Sequence, residues 1–170
     1  LLGLGHRKIA YLGNEFAGRS TLDRLTGFRQ ALAAAGVQIP DHFIYQVPGG
    51  LTAHGLVGVE HFLSQADLPS AIVCYNDMIA IGALQGLQNA KILVPGQISV
   101  TGVDNILFSA YTNPPLTTFD QPKRSIGAEA ARLVLGLLEE PHPEENSEPR
   151  IQMLQGSLLV RASTAPAPVK

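Results

Sequence analysis

One cysteine, Cys74, is the whole thiol content of this 170-residue chain. That excludes an internal disulfide and fits a reducing, cytoplasmic compartment. Charge is sparse too. Charged residues make up 15% of the chain, and 12 Lys+Arg against 14 Asp+Glu leave a net charge of −2. No basic cluster exceeds Arg7-Lys8 or Lys123-Arg124, so no face can neutralise a run of phosphates, and the chain is not expected to bind DNA by itself. No apolar run approaches the roughly 20 residues needed to span a bilayer, and Leu1 to His6 lack the charged start and long apolar stretch of a signal peptide. These first residues, with no Met ahead of them, read as mid-helix, so the true N-terminus is expected elsewhere.

Catalytic motifs are missing as well. There is no G-x-S-x-G elbow and no Walker A loop, and Gly3-Leu4-Gly5 precedes a strand instead of following one, which excludes a dinucleotide fingerprint. Among the five histidines only His54 and His61 share a helix face. They lie seven apart, too far for an i, i+4 metal pair. The histidines are therefore expected on the exposed surface, with no metal site and no cofactor, and the chain is not expected to be an enzyme.

What is present is apolar and periodic. Hydrophobic residues reach 45%, enough for one well-formed globular core. Strand-like runs at Lys8–Leu12, Phe43–Val47, Ala71–Cys74 and Ile98–Val103 alternate with helical patterns at Thr21–Ala35, Leu51–Gln65 and Met78–Gln88. That rhythm predicts an α/β, doubly wound parallel sheet built from βαβ units. In the first helix Leu22, Leu25, Phe28 and Leu32 recur at helical spacing, Ser20 and Asp23 suggest a capping box, and Gly36 fits the turn that closes it. The second is expected to bury Leu56, Val59 and Leu63, although Gly55 and Gly58 lower its intrinsic propensity. After Asp104 the rhythm changes. A loop at Asn105–Pro115 leads to a strand at Leu116–Phe119, an amphipathic helix at Ser125–Glu140, an acidic loop at Pro141–Pro149, strands at Ile151–Leu154 and Ser157–Val160, and a frayed tail from Ser163.

Ligands of open parallel sheets bind beyond the carboxyl ends of the strands. Polar residues collect there: Asn14 and Glu15, Asn76 and Asp77, Asp104 and Asn105. Carboxylates and amides converging on one crevice suit a polyhydroxylated ligand, since each exchanges hydrogen bonds with neighbouring hydroxyls. Each also has a plainer role. Asp77 precedes a helix and reads first as its N-cap, with ligand contact in addition; Asn76 is balanced between the two; Asp104 divides between ligand and turn; Asn14 and Glu15 read as loop residues. Arg19 and Arg24 sit where the helix dipole disfavours cations, which points either to a ligand or to a salt bridge with Asp23 or Glu15. Cys74 reads as core filler.

Six motifs in order resemble one family. Gly5-His6-Arg7-Lys8-Ile9-Ala10 is similar to the GHRxIA opening of the C-terminal subdomain of LacI-type (LacI/GalR) transcription regulators, and Arg24-Leu25-Thr26-Gly27-Phe28 to its RLxGF helix. The stretch from Asn76 to Leu84 resembles NDxMAxGAL, and that from Val94 to Asn105 resembles VPxDISVxGxDN. Pro114 to Thr118 with Gln121-Pro122 resembles PPLTTxxQP, and Arg161 to Thr164 resembles the terminal RxST. The resemblance implies a type I periplasmic-binding-protein-like fold, mostly its C-terminal subdomain. Residues 1–115 and 150–163 would form that subdomain, 116–149 a crossover strand, helix and loop belonging to the N-terminal subdomain, and 164–170 a tail. The rest of that neighbour and the helix-turn-helix headpiece would lie outside this chain, leaving the apolar helical face of Ile126, Leu133 and Leu137 without its own sheet.

Carried over residue by residue, Asn76 and Asp104 match effector-contacting positions, Gln121 lies near another, and Asp77 neighbours the first. Leu51 stands where an aromatic often stacks on the ligand. Leu22 replaces a frequent arginine, for which Arg19 is the candidate substitute. The effector implied is a sugar or related polyol, with a purine or nucleoside as the alternative. The resemblance also implies a homodimer, with Ile81, Leu84 and Tyr111 at the seam, against a plainer reading of that helix as sandwiched inside the monomer. DNA would be reached only through the absent headpiece, with effector binding controlling it allosterically. A periplasmic sugar-binding protein of a transporter is the alternative function.

Overall fold

The computed structural model describes residues 1–139 and 151–169. Chain order runs β1 (Ile9–Asn14), α1 (Arg19–Ala34), β2 (Ile44–Val47), α2 (Thr52–Leu63), β3 (Ala71–Cys74), α3 (Asp77–Asn89), β4 (Ser99–Val103), β5 (Thr117–Asp120), α4 (Lys123–Glu139) and β6 (Ser157–Leu159). The sheet order is β2-β1-β3-β4-β5-β6. All neighbours are parallel except β5 and β6, which run antiparallel. The winding reverses between β1 and β3, and there the connections on either side diverge and open a crevice at the strand ends. The α/β doubly wound sheet expected from the alternation is the one observed. The expected loop at Pro141–Pro149 lies outside the described residues.

Central strands are apolar on both faces because both are covered. Ala10, Leu12, Ile72, Cys74 and Val100 point into the larger core with Phe43, Val59, Phe62, Ile79, Ala83 and Leu87. Ile9, Ala71 and the half-buried Val73 face the other way, toward Leu32 and Phe28. Each fully buried Leu, Ile or Phe in these layers contributes about 1.5–3 kcal/mol. On the second face α1 and the leading Leu1 and Leu2 supply the cover. Beyond it Val73, Val103, Phe119, Leu158 and Val160 line an open apolar cleft of about 730 Å³.

Helices α2 and α3 touch backbone to backbone on the first face. A Cβ on Gly55 would overlap the Ile79 carbonyl oxygen, and one on Gly82 the Thr52 carbonyl oxygen. Of the two glycines that weaken α2 as an isolated helix, Gly55 is what this crossing requires, while Gly58 makes room for the Leu12 side chain of β1. In α1 the expected Ser20–Asp23 box does not form. The helix starts at Arg19 after Gly18 without a side-chain cap, and Ser20 Oγ donates to the Ala17 carbonyl at 2.8 Å. Leu22 is 66% exposed, because only Leu25, Phe28 and Leu32 of the apolar positions turn inward. Gly36 does close the helix: it adopts φ 64°, and the Gly36 and Val37 N–H groups reach back to Ala33 and Leu32, a Schellman closure.

Two further expectations are corrected by packing. The segment from Ser163 to Ala167 is docked, not frayed. Ser163 is fully buried, its hydroxyl donates to the Val100 carbonyl, and Ala167 N–H donates to Leu4. His6 is also fully buried and is not a surface histidine. Its Nε2 lies 3.0 Å from the Ala165 carbonyl and its Nδ1 2.9 Å from the Ser70 hydroxyl. A carbonyl only accepts, so Nε2 carries the proton. Burial lowers the His6 pKa from its ordinary value, with the Ala165 bond opposing. The expected strand at Ile151–Leu154 is irregular; only Ser157–Leu159 pairs, with Thr118–Asp120.

Helix α4 buries no residue, and Ile126 and Leu137 on its apolar face are 43% and 45% exposed. Leu84 is 6% exposed and belongs to the core, so it offers almost no surface to a partner. Ile81 is half-buried, and Tyr111 is 79% exposed.

Candidate functional site

Three neighbouring strands in the sheet, β1, β3 and β4, deliver Asn14, Asn76 and Asp104 to the same edge, at the crevice where the winding reverses. Asn76 caps α3: its Oδ1 accepts the Ile79 N–H at 2.8 Å, and its Nδ2 donates to the Gly50 carbonyl at 3.1 Å. The Nδ2 atoms of Asn14 and Asn76 both crowd Gly50, where a Cβ would stand 3.3 Å and 3.0 Å from them. The loop after β2 is thereby held close over the ends of β1 and β3.

Asp104 adopts φ 112° and Asn105 φ 47°, a turn that strains non-glycine residues. The Asp104 carboxylate accepts from the Gln121 amide and lies 3.5 Å from the Arg24 guanidinium. Arg24 also donates to the Tyr75 carbonyl and stacks over the Tyr75 ring at 4.2 Å. The Tyr75 hydroxyl meets Ser20 Oγ at 2.6 Å, and since the serine hydrogen is engaged by Ala17, the tyrosine donates. Arg24 and Asp104 remain about a quarter and a third exposed. Their guanidinium and carboxylate edges are pre-oriented yet open to an incoming ligand, with Gln121 presenting an amide alongside. Such a set can donate to and accept from adjacent hydroxyls, or grip a planar heterocycle by its edge.

The sequence-derived candidates divide accordingly. Asp104 and Gln121 are brought into contact, and Asn76 follows directly on the Tyr75 that Arg24 grips. Leu51 is 61% exposed on the loop beside Asn76. Arg19 is 91% exposed along its side chain and pairs with Asp23 at 3.5 Å, the plainer of its two readings. Asp77 is fully buried and does not reach the crevice. It is also not the N-cap, a position held by Asn76. Burial raises its pKa above the ordinary carboxylate value, opposed by hydrogen bonds from Thr118 and Ile106. Arg24 was undervalued by sequence reasoning. Its one signal, a cation early in a helix, was explicable by Asp23 or Glu15, whereas its partners Asp104 and Tyr75 are far away in the chain. No cluster able to hold a metal ion occurs among the described residues, and no helix among them is long and apolar enough to cross a membrane.

Residues 1–164 match the family model of the periplasmic binding protein-like domain. The chain belongs to that family. Among curated relatives, this periplasmic binding protein-like domain is similar to the HTH-type transcriptional repressor PurR of Photobacterium profundum, 33% identical over 94% of this chain and 46% of that protein. It is also similar to the ribose operon repressor of Haemophilus influenzae, 31% identical over 96% of this chain and 48% of that protein. The chain thus spans about half the length of the curated relatives it matches. Among solved structures, a putative LacI transcriptional regulator of Bacillus cereus subsp. cytotoxis superposes with a TM-score of 0.88 at 28% identity, covering 97% of this chain and 57% of that one. The CelR regulator in complex with cellobiose superposes at 0.86 and 28% identity, covering 96% and 48%. The LacI-type resemblance read from the motifs is thus met in sequence relatives and solved structures alike. The two curated relatives are transcriptional repressors and the two solved structures transcriptional regulators.

Proposed function

We propose that this domain is the effector-sensing part of a cytoplasmic LacI-type repressor. A small hydroxyl-rich molecule, a sugar or related polyol, binds in the crevice over β1, β3 and β4. Arg24, Asp104 and Gln121 hold one edge of it, Asn76 and the neighbouring Asn14 another, and Leu51 supplies an apolar rim. The carrying observation is the Arg24–Asp104–Gln121 constellation, three polar side chains from three elements meeting at the edge where the winding reverses. The second reading, a purine or nucleoside, is favoured by the similarity to PurR repressors; the same donors and acceptors suit a heterocycle's edge.

The expected boundary at residue 116 does not hold for β5, which is a strand of this sheet between β4 and β6 with Leu116 in the core. In this proposal it is α4, which buries nothing here, that reaches from this subdomain into a neighbour. Effector binding between the two favours one relative orientation, and a homodimer joined near Tyr111 and Ile81 passes that bias to DNA-reading headpieces. Such coupling typically amounts to ~1–3 kcal/mol and is reciprocal between effector and DNA. The relatives' roles as transcriptional repressors speak for regulation over delivery to a transporter.

Calorimetry of the full protein with cellobiose, D-ribose and hypoxanthine tests the site. One of the three is expected to bind, and Asp104→Ala to weaken that binding by about 1–3 kcal/mol. Wild-type affinity in the folded variant would remove Asp104 from the site.

A further inference from the structure

The turn that carries Asp104 has its backbone N–H groups accounted for one by one. Asp104 N–H donates to the Phe119 carbonyl of β5 at 2.9 Å. Asn105 N–H donates to Thr118 Oγ1 at 3.3 Å, and Thr118 in turn donates to Asp77 Oδ1 at 2.5 Å. Ile106 N–H donates directly to Asp77 Oδ2 at 2.9 Å. Two of the three therefore end on one carboxylate, and both Asp77 and Thr118 are fully buried. Space is kept for that carboxylate: a Cβ on Gly102 would overlap Asp77 Oδ1.

The same relay reaches the other half of the constellation. Thr118 lies three residues before Gln121, whose amide meets the Asp104 carboxylate. Arg161, following β6, closes the far side: its Nη2 donates to Asn105 Oδ1 at 2.8 Å and its Nη1 to the Leu116 carbonyl at 2.8 Å. Asp104 and Asn105 both hold positive φ, a conformation that persists only where the surroundings over-determine it.

We infer that Asp77 is a positioning residue. Through Ile106 N–H and the Thr118 hydroxyl it locks the strained turn that aims Asp104, and the strand that carries Gln121, without touching ligand itself. The inference rests on the reading of the crevice as the effector site. The chemistry requires a carboxylate, because both oxygens accept. In Asp77→Asn the amide nitrogen must face either the Ile106 N–H, donor against donor, or Thr118 Oγ1, whose hydrogen then loses its acceptor.

The test uses Asp77→Asn, Thr118→Val and Thr118→Ser in the full protein, with residue-resolved amide exchange in the absence of ligand and calorimetry against cellobiose, D-ribose and hypoxanthine. Exchange at Asn105 and Ile106 should rise roughly 10-fold or more in Asp77→Asn and Thr118→Val while amides of β1 and β3 keep their protection. Whichever probe the wild type binds should bind these two variants at least about 10-fold more weakly. Thr118→Ser, which keeps the hydroxyl, should restore both readouts. Unchanged exchange at Asn105 and Ile106 in a folded variant overturns the inference. So does an equal rise across the whole sheet, and so does wild-type affinity alongside raised exchange. If Asp77→Asn fails to fold, the Thr118 pair decides alone. If the wild type binds none of the probes, the sugar and purine readings fail, and the positioning role is judged on exchange.

Discussion

At the scale of single residues, polar groups in this domain are assigned by what they face, not by where they stand in the sequence. Asn76 and Asp77 are neighbours, yet one is a cap beside the crevice and the other a buried brace beneath it. Strand–helix boundaries were legible to within a couple of residues, but this division was not, because it depends on Thr118 and Ile106, which lie 41 and 29 residues further on. His6 makes the same point. Its surroundings come from Ser70 and Ala165, so a motif that places it before β1 could not announce its burial. The consequence is testable by pH. The folded pKa of His6 lies below its ordinary 6.5, so the native state binds a proton less readily than the unfolded chain. Stability is fully present above that value and is lost as pH falls through the folded pKa. Asp77, raised by burial, acts in the opposite sense, its ionisation cost easing on acidification. Thermal unfolding between about pH 7.5 and pH 5 should show wild type losing more stability than His6→Phe, which cannot charge. Parallel losses in the two proteins would place the acid sensitivity elsewhere.

At the scale of elements, periodicity read well where a helix covers the sheet and poorly where other constraints rule. In α1 the apolar spacing included Leu22, but the helix meets the sheet only along Leu25, Phe28 and Leu32. In α2 intrinsic propensity pointed to weakness, whereas Gly55 and Gly82 mark the line where two backbones cross. Gly82→Ala forces those helices apart or bends them, since the overlapping atom is the Thr52 carbonyl oxygen, which has no rotamer to escape into. The expected loss is about 1–3 kcal/mol in chemical denaturation, despite alanine's better helix propensity. A more stable variant would mean that the crossing is looser than described.

At the scale of the whole molecule, the parallel sheet followed from alternation alone, whereas its strand order, and with it the reversal between β1 and β3 that sets Asn14, Asn76 and Asp104 on a common edge, came only with the structure. What could not be foreseen was how the last residues return. Ser163, Ala165 and Ala167 bond to Val100, His6 and Leu4, joining the two ends of the chain across the base of the sheet. Their composition, small and proline-bearing, carries no periodic signal of such docking.

The apolar cleft beside α1 has a practical consequence for anyone handling this domain in isolation. Val73, Val103, Phe119, Leu158 and Val160 give it a greasy floor that water wets reluctantly. A reporter dye such as anilinonaphthalene sulfonate should brighten on the native domain and dim on Phe119→Asp. Equal brightness on both would move the sticky spot to some other part of the surface.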